Sequence, residues 1–121
     1  MNVLLWAAVV VIGGTGSVLR FLVDGVVGSV AGRDFPAGTL VVNISGAVIL
    51  GVLTGLVLSH DAALLAGTAA VGSYTTFSTW MLETQRMGEE RQRRKVAANI
   101  ALSLVLGVGA AALGEAIGAH L

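Results

Sequence analysis

The sequence predicts an all-α membrane protein of four transmembrane helices, with the third helix broken at its middle. Three observations predict it. Of 121 residues, 55% are hydrophobic and only 12% are charged, about half the charge of a soluble domain. Four stretches meet the roughly 20 apolar residues needed to cross a bilayer. The third of them carries a run of hydroxyl side chains at its centre.

The first stretch runs from Val3 to Val23 and stays apolar until Arg20. Met1-Asn2 lacks the basic start of a signal peptide, and the apolar run exceeds a typical signal core, so this is expected to be a retained span. The second, from Gly38 to Leu58, contains no charge, and from Leu40 onward its only polar side chains are Asn43, Ser45 and Thr54. A soluble bundle needs polar outer faces, and this segment has none to offer. The third runs from Ala62 to Leu82 and the fourth from Val96 to Ile117. The connections, Asp24–Ala37, Ser59–Asp61 and Glu83–Lys95, are short, so the spans alternate up and down in a single domain, 1–121.

Net charge is zero, which removes the electrostatic basis of nucleic-acid binding. The absence of cysteine excludes disulfides and thiolate metal sites, and two histidines make a poor zinc site. No nucleophile, base and orienter set is visible, so the chain does not read as an enzyme. All seven Lys and Arg residues (Arg20, Arg33, Arg86, Arg91, Arg93, Arg94 and Lys95) lie on the first and third connections or the helix ends leading into them. The positive-inside rule puts those connections in the cytoplasm and both termini outside, in the cell (plasma or inner) membrane.

Three polar features sit at membrane depth. Thr39 and Asn43 open the second span, four apart and so on one helix face. Asn43 offers amide donors and a carbonyl acceptor, either to bond between helices or to line a pathway. Gly72-Ser73-Tyr74-Thr75-Thr76-Phe77-Ser78-Thr79-Trp80 carries six hydroxyl side chains in the seven positions 73–79. It is a poor helix, and reads as a backbone break in preference to a hydroxyl-satisfied kink. Broken helices in membranes expose N–H groups and carbonyls that bind ions. Asn99, Ser103 and Gly107 draw a polar-to-small stripe on the fourth span, either a packing seam or a pore wall. Internal glycines, including the pairs Gly51/Gly55 and Gly114/Gly118, read mainly as helix packing.

These residues resemble a known pattern. Gly13-Gly14-x-Gly16-x-x-x-Arg20, Pro36-x-Gly38-Thr39-Leu40-x-x-Asn43-x-x-Gly46 and Thr75-Thr76-Phe77-Ser78-Thr79, in this order along a four-span chain, are similar to the signatures of the small fluoride channel family, called Fluc or CrcB. The resemblance implies an antiparallel dimer with two narrow fluoride pores and a structural, untransported sodium ion at its centre. It implies sodium ligation by the backbone carbonyls of Gly72 and Thr75. It implies an ion path past Asn43, the aromatics Phe77 and Trp80, Ser103, Asn99 and an acidic residue, Glu83; Thr39, on the helix face of Asn43, is counted with them. At Asn99 several family members carry Tyr. Where the family usually has a second phenylalanine, this chain has Trp80.

The physics fits. Fluoride is small and strongly hydrated, so a pore must replace its water yet release it. Neutral donors such as Asn43 and Ser103 avoid a deep trap, and the positive edge of Phe77 faces an anion at modest strength. The expected function is passive fluoride export that lowers cytoplasmic fluoride. One rival is a small proton-coupled exporter, which needs an ionisable group within the bundle; Asp24, Glu83 and Glu115 all lie near span ends. A non-transporting assembly protein would explain the glycines but not the hydroxyl-rich run. Seven basic residues against none on the opposite side favour one insertion orientation, which points to a related partner chain of opposite bias over a homodimer.

Overall fold

A computed structural model describes residues 2–121 of the chain. Helix α1 covers Val3–Ala31. Asn2 caps it by accepting from the Leu5 amide at 2.8 Å. The helix runs straight through Arg20 and Asp24, because a charge alone does not terminate a helix. It stops at Gly32, whose φ of 82° and ψ of 179° is open to glycine and strained for other residues. Helix α2 covers Ala37–Leu56 behind Pro36, which suits a helix start because its missing N–H is not needed there. It ends at Val57, a β-branched residue held at φ 53°.

The region between α2 and the last helix is wound in segments. After α3, His60–Ala63, the backbone widens into a π-helical stretch, Leu64–Val71. There follow α4, Gly72–Tyr74, and α5, Phe77–Glu89. Between α4 and α5 the chain is extended: Thr75 has φ −79° and ψ 161°, and Thr76 has φ −148° and ψ 118°. Helix α6 covers Arg93–Ala119. Among the described residues every regular element is helical. Three helices, α1, α2 and α6, are long and apolar enough to cross a membrane. The expected stretch 62–82 falls in α3 to α5, none of which reaches that length alone.

Helix α2 is the hub. Its closest partner is α6, and the two meet backbone to backbone along interleaved glycines. A Cβ at Gly51 or Gly55 would strike the α6 backbone at Ala111 and Glu115–Ala119, and one at Gly114 or Gly118 would strike the α2 backbone at Val48 and Val52. Thus both G-x-x-x-G pairs serve packing, the role small residues take where lipid is as apolar as the side chains. Helix α1 packs on α2, the π-helical stretch and α4. Gly16 lets it approach Ser73 and the Ala70 carbonyl. The core is thin: among the described residues Val42 is the one large apolar side chain fully buried, while α1 presents Trp6, Val10, Phe21 and Val26 outward. That is an inside-out surface in water and an ordinary one in hydrocarbon.

Candidate functional site

Two extended residues between α4 and α5 leave backbone groups without helical partners, and buried groups of this kind must find other ones. The structure shows how this is done. The Thr76 amide donates to Asn43 Oδ1 at 2.8 Å, and Asn43 Nδ2 donates to the Thr76 carbonyl at 2.9 Å. One side-chain amide on α2 thus pairs with both polar groups of a single residue, as a neighbouring β-strand would. Thr76 in turn caps α5, its Oγ1 accepting from the Thr79 amide at 3.1 Å. Tyr74 and Ser45 join hydroxyls at 2.9 Å, and Gly46 gives Thr75 and Tyr74 room against α2.

The same bonds leave two carbonyls exposed to other partners. In a continuous helix the Thr76 amide would serve the Gly72 carbonyl, and the Thr79 amide would serve the Thr75 carbonyl. Both amides are diverted, one to Asn43 and one to the Thr76 hydroxyl. Gly72 and Thr75 are the two residues that the family resemblance proposes as carbonyl ligands. Two neutral, hard oxygens suit a hard cation, though not a full coordination sphere.

A groove of 630 Å³ runs beside the interruption. It brings together Asn43 from α2, Gly72, Thr75, Phe77 and Trp80 from the α4–α5 region, and Ser103 from α6. Phe77 is 70% exposed and meets Trp80 with ring centroids 5.5 Å apart and planes tilted 54°. Thr68 and Thr76 also line the groove. Thr76 belongs to the hydroxyl-rich run of the sequence but has no place on the expected path, and Thr68 gives no signal there beyond its hydroxyl.

Three expected residues lie elsewhere. Thr39, 3% exposed, lines a separate cavity of 220 Å³ with Ser17, Arg20, Asp24, Thr76 and Thr79, so Thr76 borders both spaces. Glu83 lines a charged cavity of 480 Å³ at the basic end of the molecule, with Asp24, Arg33, Arg86, Glu90 and Lys95. There Arg33 and Asp24 pair at 3.5 Å, and Lys95 Nζ donates to the Asp34 carbonyl at 3.1 Å. Asn99 is buried between α5 and α6, its Nδ2 donating to Thr84 Oγ1 at 2.9 Å. Sequence reasoning missed Thr84, which looks like any hydroxyl on a helix.

Among the described residues no cluster of His, Cys, Asp or Glu could hold a metal through side chains. A thin-cored helical molecule with three helices long and apolar enough to cross a bilayer defines a multi-pass membrane protein. Residues 7–115 match the family model described as "CrcB-like protein, Camphor Resistance (CrcB)", and the chain belongs to that family. It is 66% identical over 114 residues to the fluoride-specific ion channel FluC 2 of Mycolicibacterium paratuberculosis, covering 94% of this chain and 93% of the relative. It is 62% identical over 115 residues to FluC 2 of Mycobacterium tuberculosis, covering 95% and 91%. Across a wider distance it is 41% identical over 119 residues to FluC 1 of Symbiobacterium thermophilum, covering 93% and 96%. These relatives are named as ion channels and not as enzymes.

Proposed function

We propose that this chain is a fluoride channel subunit of the cell membrane, letting fluoride leave the cytoplasm passively. The observation that carries the reading is the groove in which Asn43, Phe77, Trp80 and Ser103 meet beside the Thr75–Thr76 interruption; the relatives, named as fluoride-specific ion channels, support it. The donors on this route are neutral, so an anion is attracted without being trapped. In this reading α3 to α5 form one third span, broken at mid-membrane by Thr75 and Thr76. The diverted amides of Thr76 and Thr79 support a structural sodium ion held by the Gly72 and Thr75 carbonyls, its remaining ligands coming from an antiparallel partner.

Purified protein assembled with its partner and reconstituted in liposomes is expected to release fluoride when a potassium ionophore balances the charge. Chloride release at an equal rate would defeat the selectivity, and release of neither ion would defeat the channel. A proton-coupled exporter would instead give fluxes driven by a pH gradient.

Seven Lys and Arg residues on one side and none on the other drive insertion one way. A single orientation cannot build an antiparallel pair by itself. Cysteine-accessibility labelling is expected to find the chain, expressed alone, in one orientation and without fluoride flux. Co-expression with a related chain of opposite charge bias should restore flux. Both orientations together with flux from the single chain would establish a homodimer.

A further inference from the structure

We propose that Trp80, Glu83 and Asn99 hold one buried water molecule between α5 and α6, and that this water fixes the Trp80 ring at the edge of the groove. Among the described residues, three buried side-chain atoms have no hydrogen-bond partner in the chain: Trp80 Nε1, Glu83 Oε1 and Asn99 Oδ1. Helix α5 sets Glu83 and Thr84 three and four residues after Trp80, on one face. Asn99 reaches that face from α6 through its bond to Thr84.

The network fixes which end of Asn99 is left over. The Thr84 hydroxyl donates its one proton to the Trp80 carbonyl at 2.7 Å. Its oxygen can then only accept from Asn99, so Nδ2 faces Thr84 and Oδ1 faces away. Asn99 is 1% exposed, out of reach of bulk solvent.

The remaining inventory is one N–H donor and two oxygen acceptors. Sodium or ammonium would suit the oxygens and be repelled by the indole N–H. Fluoride would suit the N–H and be repelled by the carboxylate and the amide oxygen. Water donates twice and accepts once, and satisfies all three; buried waters typically make about three such bonds. Glu83 also lines the charged 480 Å³ cavity, which gives the water a way in.

Trp80 therefore faces two ways. Its ring lines the groove beside Phe77, while its N–H is held from behind. Glu83 and Asn99 act on the groove through this ring as positioning residues. This last consequence rests on the groove being the fluoride route; the water site does not.

The test uses the assembled channel in lipid nanodiscs, carrying Trp6→Phe so that Trp80 is the sole indole of this chain. Trp6 lies exposed on α1. With the tryptophan of this chain labelled with nitrogen-15, the Trp80 indole N–H is expected to resist exchange and to show a cross-peak to a long-lived water. Asn99→Leu should abolish the cross-peak, whereas Glu83→Gln, which keeps an oxygen acceptor, should retain it. Asn99→Leu should lower fluoride flux about tenfold, the weight of one hydrogen bond in an orientation equilibrium. In a Trp80→Phe background, with no N–H to anchor, it should change flux little. An indole N–H without a water cross-peak, or a cross-peak indifferent to Asn99→Leu, would overturn the proposal. A cross-peak in a protein that conducts no fluoride would leave the water site standing and remove the channel reading.

Discussion

Asn43→Asp is expected to lower fluoride efflux about a hundredfold, since a charge placed at membrane depth costs about 3 kcal/mol and each 1.4 kcal/mol is tenfold. The geometry explains why so small a change matters. The carboxylate keeps the bond from the Thr76 amide, now at 2.8 Å. It reverses the other one, setting an oxygen against the Thr76 carbonyl that Nδ2 now approaches to 2.9 Å. It also adds a negative charge to the wall of a groove proposed to carry anions. Both faults vanish on protonation, because a carboxylic acid has one donor and one acceptor, as the amide does here. Efflux through the Asp variant should therefore recover as pH falls, measured above the leak through protein-free liposomes. Efflux within threefold of the parent at neutral pH would remove Asn43 from the path. A low efflux that stays low in acid would mean the variant had lost its fold and not its conduction.

The double bond between Asn43 and Thr76 also marks where sequence reasoning ends. The polar character of both segments was legible, because a lone Asn and six crowded hydroxyls stand out against apolar spans. That they pair was not, since 33 residues separate them and no periodicity links them. Hydropathy located α1, α2 and α6. It could not show that the first helix continues to Ala31, because Asp24 limits what hydrocarbon tolerates and not where the backbone stops winding. Gly32 does that, through a dihedral angle. Nor could it show the π-helical stretch. Leu64-Leu65-Ala66-Gly67-Thr68-Ala69-Ala70-Val71 is an ordinary apolar run; the wider turn is a choice of hydrogen bond, and π-turns recur near functional sites. Glu83 and Asn99 were placed on the route by resemblance. The structure sets one at the charged cavity and the other in the α5/α6 interface, because their neighbours on α5 and α6 are fixed by packing that no spacing records.

Gly114→Leu is expected to prevent the chain from assembling, whereas Gly109→Leu on the same helix should leave it intact. At Gly114 even a Cβ would meet the Val48 carbonyl and lie 2.9 Å from the Val52 amide nitrogen. Both are backbone atoms of α2 and cannot rotate aside as a side chain would. At Gly109 nothing lies within 4 Å. Forcing extra methylenes into a packed core costs about 1–3 kcal/mol when neighbours can yield, and more when they cannot. No hydrophobic gain between helices offsets it, since lipid receives apolar side chains as readily as a partner helix does. Helices α2 and α6 must then separate, and the displacement reaches the site directly: α2 carries Asn43 and α6 carries Ser103. Size-exclusion profiles and melting temperatures in mild detergent check the contrast. Gly51→Leu, which attacks the same seam from the α2 side against Ala111 and Glu115, should fail as Gly114→Leu does. A well-assembled Gly114→Leu protein with parental melting would show that the glycine seam does not hold the two helices together.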